Sequence, residues 1–163
     1  MKLIPFHQFS LTLPYDSKQL FQRIFENTEA GSFGQTHSKD KIFIGKLDKN
    51  GFKIQKSLGR LTKNSFVPIA IGEFVDDGYY CQLSVSMRPS LATLIFMTIW
   101  IGYFVKGFIA FTSATSSISY LHLGFILFGY LLMLFSFWYE VLKAESAIRQ
   151  VLEVYQSDND RVN

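Results

Sequence analysis

The chain has little cysteine and little net charge. Its 163 residues contain one cysteine, Cys81, and carry a formal net charge of +3. A lone cysteine forms no internal disulfide and no C-x-x-C pair, which is typical of a reducing compartment. A charge this small, without a basic stripe interleaved with aromatic residues, disfavours nucleic-acid binding. We therefore expect a protein of a reducing compartment that has no nucleic-acid partner.

Sequence motifs for catalysis, cofactors and metals are also absent. The three histidines, His7, His37 and His122, are far apart and have no second ligand at the spacing of a zinc site. No G-x-S-x-G nucleophile elbow occurs, and turn chemistry explains the acidic pair Asp76-Asp77. The sequence therefore predicts no catalytic residue, no metal site and no cofactor, and we do not expect an enzyme.

Charge is almost missing from two long apolar stretches in the second half of the chain. Residues 91–111 contain one charged residue, and residues 118–139 contain none. A helix needs about 20 apolar residues to cross a hydrocarbon layer of roughly 30 Å, and a helix satisfies its own backbone there. We predict a transmembrane hairpin over residues 89–142, with spans of about 90–111 and 118–139. Pro89 is expected in the opening turn of the first span.

Lysine and arginine residues lie mainly before this hairpin. The first 88 residues hold 12 of the 16, and the connection at 112–117 holds none. The positive-inside rule then places both termini in the cytoplasm, and the first residues lack the apolar core of a signal peptide. We predict a multi-pass protein of the plasma (inner) membrane, in contact with the lipid bilayer. The candidates for contact with anionic headgroups are Lys56, Arg60, Lys63 and Arg88.

Residues 1–88 have the pattern of a small cytoplasmic α+β domain. Five segments have the alternation or the β-branched and aromatic content of strands. They are residues 9–13, 42–47, 52–56, 66–75 and 79–87. Short turns between the later segments favour antiparallel neighbours, so we expect a mostly antiparallel sheet of about five strands. Asn50-Gly51 suits a tight hairpin turn, and Pro68 inside a predicted strand indicates a sheet edge or a bulge.

One helix is expected on a face of this sheet. Asp16 and Gln19 have the spacing of a capping box, in which each side chain bonds a free backbone N–H at the helix start. Four apolar residues follow at helical spacing and mark the apolar side of the helix, namely Leu20, Phe21, Ile24 and Phe25. We predict that the helix ends near Glu29.

Residues 143–163 are predicted to form a cytoplasmic helical extension that continues the second span and ends in a polar tail. Apolar residues near and within this extension lie broadly on one side of a helix. They are Val141, Leu142, Ile148, Val151, Leu152 and Tyr155. Such an amphipathic helix either covers the β-rich domain or lies on the bilayer surface.

Two polar residues inside the predicted spans form a candidate intramembrane polar spot. Lys106 is the one formal charge within the spans, and His122 lies at a similar depth on the returning helix. Ionisable residues in a membrane often mark an ion or proton path. Lys106 is also near enough to the end of its span for its long side chain to reach the headgroups. The second interpretation makes Lys106 an anchoring residue.

A loose pattern of residues resembles a group of bacterial proteins. The pattern comprises Phe43-x-Gly45, Phe52-x-Ile54, Asn64-Ser65-Phe66-x-Pro68 and Gly72, followed by a strand and paired spans. It resembles short bacterial membrane proteins of uncharacterised function, which have an N-terminal β-rich domain and two transmembrane helices. The resemblance implies a membrane location and a bacterial origin, and it implies no activity.

Three functions fit these observations. In the first, the cytoplasmic domain is a protein-interaction or assembly module that binds a protein partner or a second copy of the chain. In the second, the domain binds a lipid or a small apolar ligand at the membrane. In the third, the chain is a subunit of an oligomeric transporter or pore and uses Lys106 and His122.

Overall fold

The fold combines a strand-rich N-terminal half with two long apolar helices. The computed structural model describes residues 4–31, 33, 41–48, 50–57, 66–76, 80–111 and 116–159, and their side chains except at 111, 116–120 and 153–159. The elements are β1 (His7–Leu13), α1 (Ser17–Glu26), β2 (Thr28–Ala30), β3 (Phe43–Asp48), β4 (Gly51–Lys56), β5 (Ile69–Asp76), β6 (Cys81–Arg88), α2 (Leu91–Phe111) and α3 (Ser116–Asn159). The α+β class predicted from the sequence is therefore confirmed.

The described strands form one six-stranded sheet in the order β1-β6-β5-β4-β3-β2. Neighbours are antiparallel except β2 and β3, which are parallel. The prediction of about five strands was wrong because β2 has three residues and follows α1 directly. Asn27 and Thr28 end the helix early, since their side chains donate to the carbonyls of Arg23 and Ile24 at 2.9 and 2.6 Å. The helix predicted to reach Glu29 therefore stops at Glu26. Its predicted apolar stripe is buried at Leu20 and Ile24 but was wrong at Phe25, which is 55% exposed.

The predicted hairpin of β3 and β4 forms, with two residues between the strands. Gly51 pairs with Asp48 as the first residue of β4, so its predicted place in the turn was wrong. Gly45 of β3 has a backbone φ of +158°, and a Cβ atom there would lie 2.1 Å from the carbonyl oxygen of Lys53 on β4. No larger residue fits this close approach of two backbones. Pro68 immediately precedes β5, so the prediction that it lies inside a strand was wrong.

Helix α1 begins under a different cap from the one the sequence suggests. Asp16 is at the capping position, but its side chain makes no capping hydrogen bond. The carboxylate of Asp76, at the end of β5, instead accepts hydrogen bonds from the Ser17 backbone N–H at 3.3 Å and the Ser17 hydroxyl at 2.5 Å. A cap from a distant strand replaces the local one because α1 starts beside that strand's end. Asp76 thus joins the helix to the sheet, a role that turn chemistry did not predict.

Helix α3 is one continuous helix of 44 residues, about 66 Å long at 1.5 Å per residue. Its second half covers the same face of the sheet as α1, and the two helices and the sheet share one core. The largest contributors are Phe43, Phe52, Ile54, Leu83, Val85 and Met87 from the sheet, Leu20 and Ile24 from α1, and Phe137, Val141, Ile148 and Leu152 from α3. Of the two alternatives for the C-terminal extension, the structure therefore has the one that covers the sheet.

One member of the predicted apolar stripe lies elsewhere. Leu142 is 65% exposed, whereas Val141 beside it is fully buried. The stripe was wrong at this position because the buried side of α3 is narrow and a helix turns by 100° per residue. Tyr155 belongs to the part of α3 whose side chains are not described.

Helices α2 and α3 pack against each other through ring and glycine contacts. A Cβ atom on Gly129 of α3 would lie 2.6 Å from Nε1 of Trp100, and one on Gly107 of α2 would lie 2.6 Å from the His122 ring. In each helix, therefore, a ring from the other helix packs against a glycine. Ser90 caps α2 by accepting the backbone N–H of Thr93 at 3.1 Å. Pro89 therefore precedes the cap, and its predicted place in the opening turn was wrong.

Candidate interaction surfaces around the span-side end of the sheet

The strand ends nearest to α2 and α3 form one end of the sheet, here called the span-side end. Strand β6 ends at Arg88, three residues before α2 begins at Leu91. The strand register brings the first residues of β1, β3 and β5 and the last residues of β4 to the same end. A site formed by residues of both the sheet and the apolar helices is therefore expected at this end.

A cleft lies at the span-side end between the last residue of β4 and one side of α3. Its volume is about 350 Å³. The residues that line this Lys56–Lys143 cleft are Lys56, Tyr139, Leu142, Lys143, Ser146, Ala147 and Gln150. None of these lining residues is acidic. The cleft therefore combines two cationic groups, a hydroxyl and an amide with an exposed apolar rim.

Lys143 is held at the mouth of this cleft by its neighbours on α3. Its ammonium nitrogen lies 4.0 Å above the centre of the Tyr139 ring. The same nitrogen is 3.9 Å from a carboxylate oxygen of Glu140, which is at the limit of an ion pair. The contact with the ring fixes the direction of the lysine side chain, and the distant carboxylate offsets its charge incompletely.

A cluster of three polar residues fastens β1 to α3. Nε2 of His7 lies 2.8 Å from one carboxylate oxygen of Glu145, and Arg149 donates to the other oxygen at 2.8 and 3.0 Å. His7 also packs edge-on against Trp138, and the Arg149 guanidinium lies 5.2 Å from the centre of the Phe9 ring. The cluster therefore orders the start of β1 along the helix.

At the margins of the core, the surroundings of Glu145 and of Cys81 shift the pKa values of these two side chains. Burial raises the pKa of the Glu145 carboxyl, but hydrogen bonds from Arg149 and His7 outweigh burial and leave that pKa below its ordinary value. Burial, together with the nearby Asp76 carboxylate, raises the pKa of the Cys81 thiol to about 11. Cys81 is fully buried, and its thiol stays protonated at neutral pH.

The outer side of β1 is an open strand edge. β1 pairs with β6 on one side, and no strand among the described residues pairs with its other side. Phe9 and Leu11 remain half-buried although they pack against the core, whereas Leu83 and Val85 on the adjacent strand are fully buried. The core is thus incompletely covered along this edge.

A second groove lies at the opposite end of the sheet, with a volume of about 570 Å³. Its charged lining residues are Lys46, Asp48, Lys53 and Glu73. Because both signs of charge are equally represented, the groove has no preference for an anion or a cation. The two lysines are useful as controls for those of the Lys56–Lys143 cleft.

The basic residues predicted to face headgroups have mixed placements. Lys56 lines the cleft, and Arg88 is exposed at the end of β6, so both are at the span-side end. Arg60 and Lys63 lie outside the described residues. The role of all four as headgroup contacts stays a prediction.

The two residues of the predicted intramembrane polar spot lie near each other along the hairpin. Lys106 is exposed on α2, and the His122 ring packs against Gly107, the next residue of that helix. His122 also lies 6.1 Å from the Phe104 ring. Whether Lys106 and His122 act together or only anchor the hairpin stays a prediction.

Sequence reasoning missed the residues that α3 contributes to the Lys56–Lys143 cleft and to the cluster with His7. Lys143, Ser146 and Gln150 follow at spacings of three and four, which puts them on one side of a helix. Glu145 and Arg149 have the spacing of a helical ion pair, a signal that was present in the sequence. Their partners on β1 and β4 could not be found from the sequence because the contacts depend on how α3 docks. Among the residues that the structure describes, no three potential metal ligands lie together.

Comparisons of the chain with known protein families, with characterised proteins and with solved structures found no match.

Proposed function

We propose that the chain is a two-span protein of the plasma (inner) membrane whose cytoplasmic sheet is an assembly module for a partner protein. Two helical stretches, Leu91–Ala110 and Leu121–Leu152, are long and apolar enough to cross a membrane by length and composition. Only 11% and 17% of their apolar windows are buried within the protein. A soluble protein rarely exposes so much contiguous apolar surface, which supports a lipid environment for these helices.

The packing of α3 supports an end for the second span near Tyr139. From Phe137 onward the buried apolar residues of α3 belong to the core that it shares with the sheet, and no described residue of α2 is part of that core. This part of the helix therefore belongs with the sheet. The aromatic residues Trp138 and Tyr139 occupy the boundary, where such side chains favour headgroups. Because α3 is continuous, the sheet and the second half of α3 lie on one side of the bilayer.

The open edge of β1 is the observation that carries the assembly role. Exposed edge strands in monomers are usually shortened, bulged or protected by charge and proline. β1 pairs with β6 over seven consecutive residues without a bulge, and residues 8–13 contain neither charge nor proline. A partner strand would satisfy the free backbone groups and cover Phe9 and Leu11.

The direction of β1 disfavours a second copy of the chain as that partner. Along β1 from His7 to Phe9, the contacts on α3 move from Glu145 to Arg149, so the strand and the helix run in the same direction. Antiparallel pairing of β1 with its own copy would therefore point the two α3 helices in opposite directions. Two copies inserted alike in one membrane cannot do this. For a second copy only parallel pairing would remain, which is slightly less stable per residue, and we therefore assign the edge to an extended segment of a different protein.

The test places a lysine on the edge strand and on its neighbour. Ser10→Lys and Thr12→Lys change exposed residues of β1, and the matched controls Ser84→Lys and Gln82→Lys change their direct partners on β6. Full-length protein purified in mild detergent is expected to retain one reproducible partner in the wild type and the β6 variants and to lose it in the β1 variants. Hydrogen exchange of residues 7–13 should be slower in that complex than in the monomer. A purely monomeric wild type, or equal effects of both variant pairs, would contradict the assembly role.

A further inference from the structure

We propose that the Lys56–Lys143 cleft binds the phosphate headgroup of an anionic phospholipid. The proposal rests on the membrane placement above, and it assigns a lipid site that the assembly role does not require. Its first support is position. The cleft lies at the span-side end of the sheet and begins at Tyr139, the last residue of the second span as assigned here.

The charges that line the cleft select an anion. Lys56 comes from the end of β4 and Lys143 from α3, so two separate elements direct ammonium groups to one cleft of about 350 Å³. The register pairs Lys56 with the buried Phe43, which puts it on the face of the sheet that α3 covers. Among the described residues no carboxylate lines the cleft, and Glu140 is only at the 3.9 Å limit of an ion pair with Lys143. Two such lysines suit a phosphate group, which bears a full negative charge in a phosphodiester.

Polar groups beyond the lysines complete a headgroup site. Ser146 and Gln150 follow Lys143 on the same side of α3 and also line the cleft. Their hydroxyl and amide are donors for phosphate or glycerol oxygens. Both side chains lie further from the span than Lys143, the direction in which a headgroup projects from its acyl chains.

The apolar rim of the cleft favours a lipid over a free anion as the ligand. Tyr139 and Leu142 are 60% and 65% exposed at the side of the cleft nearest to the spans. A dissolved phosphate ion gains nothing from such a rim, whereas the glycerol and upper acyl carbons of a phospholipid bury it. Exposed apolar residues of α2 and the first half of α3 continue this surface along the bilayer.

The test compares lipids by native mass spectrometry of the full-length protein in detergent micelles. The probes are phosphatidylglycerol, which is anionic, and phosphatidylcholine, which is zwitterionic, at equal concentration. We expect preferential retention of phosphatidylglycerol. Lys56→Gln and Lys143→Gln should each weaken it about fivefold, which corresponds to about 1 kcal/mol per lysine near a membrane surface. Lys56→Arg and Lys143→Arg should retain it.

The matched control is the pair Lys46→Gln and Lys53→Gln in the groove at the opposite end of the sheet. These variants remove the same total charge and should leave lipid retention unchanged. Equal retention of both lipids, or equal loss in the control pair, would overturn the proposal. Displacement of the lipid by millimolar inorganic phosphate would also overturn it, because it would indicate a site for a soluble anion. A wild type that retains no partner protein but keeps its preference for phosphatidylglycerol would refute the assembly role alone.

Discussion

The docking of α3 on the sheet predicts opposite results for the same substitution at two positions of one helix. Leu152 is 1% exposed in the shared core, and Leu142 is 65% exposed ten residues earlier. Truncating a fully buried leucine to alanine removes apolar contacts and leaves a cavity, at a cost of about 2–5 kcal/mol. Leu142→Ala leaves no cavity and replaces one good helix former by another. It should therefore lower the free energy of unfolding by no more than about 0.5 kcal/mol.

These free energies correspond to a measurable difference in melting. For a chain of this length, 1 kcal/mol shifts the midpoint by roughly 2–4 °C. Leu152→Ala should therefore lower the apparent midpoint of the detergent-purified protein by roughly 5–15 °C, and Leu142→Ala by less than about 2 °C. The assay is intrinsic fluorescence during heating. All variants are heated at one scan rate, because the apparent midpoint depends on the scan rate when unfolding is irreversible. Equal shifts for the two variants would refute the docking of α3 on the sheet.

Three further predictions test other parts of the structure. Gly45→Ala should destabilise the protein by more than about 2 kcal/mol, since its Cβ would overlap the Lys53 carbonyl oxygen, and an unchanged melting midpoint would contradict that contact. Glu145→Gln should cost about 1 kcal/mol at pH 7. Because the folded-state pKa of Glu145 is lowered, the stabilisation is present above its unfolded pKa of about 4.3 and is lost as the pH falls through the folded pKa. Melting curves of both proteins should therefore converge in acid, and a constant gap would contradict the ion pair. Lys106→Leu should melt at the same temperature or higher if the side chain only reaches for headgroups, and a clear drop with rescue by Lys106→Arg would favour a polar partner within the membrane.

The sequence predicted the elements that follow from a strong local pattern. The apolar stretch 91–111 matches α2 residue for residue, and the hairpin of β3 and β4 was predicted correctly, although Gly51 belongs to β4 and not to the turn. The strand predicted at residues 79–87 matches β6, in which burial alternates from Cys81 to Met87. In each case the information lies within about 20 residues of the feature, so no knowledge of tertiary contacts is needed.

The remaining features depend on contacts between distant parts of the chain. The cap of α1 comes from Asp76 rather than Asp16 because the end of β5 lies beside the start of the helix. The short strand β2 exists because β3 provides a parallel partner. Leu142 faces outward because the sheet accepts only a narrow side of α3. The candidate sites were missed for the same reason, since Lys56 and Lys143 meet only after α3 has docked.

Cysteine accessibility in intact cells tests whether the sheet lies in the cytoplasm with α3 docked on it. The wild type is the unlabelled control, because Cys81 is buried. Gln8→Cys on β1 and Ser146→Cys on α3 introduce thiols at exposed positions of the two docked elements, and Ser116→Cys marks the other end of α3. We predict that a membrane-impermeant maleimide labels Ser116→Cys in intact cells, and that it labels the other two variants only after the inner membrane is permeabilised. Labelling of Gln8→Cys in intact cells would contradict the cytoplasmic placement. Labelling of Gln8→Cys and Ser146→Cys from opposite sides would contradict the docking of α3 itself.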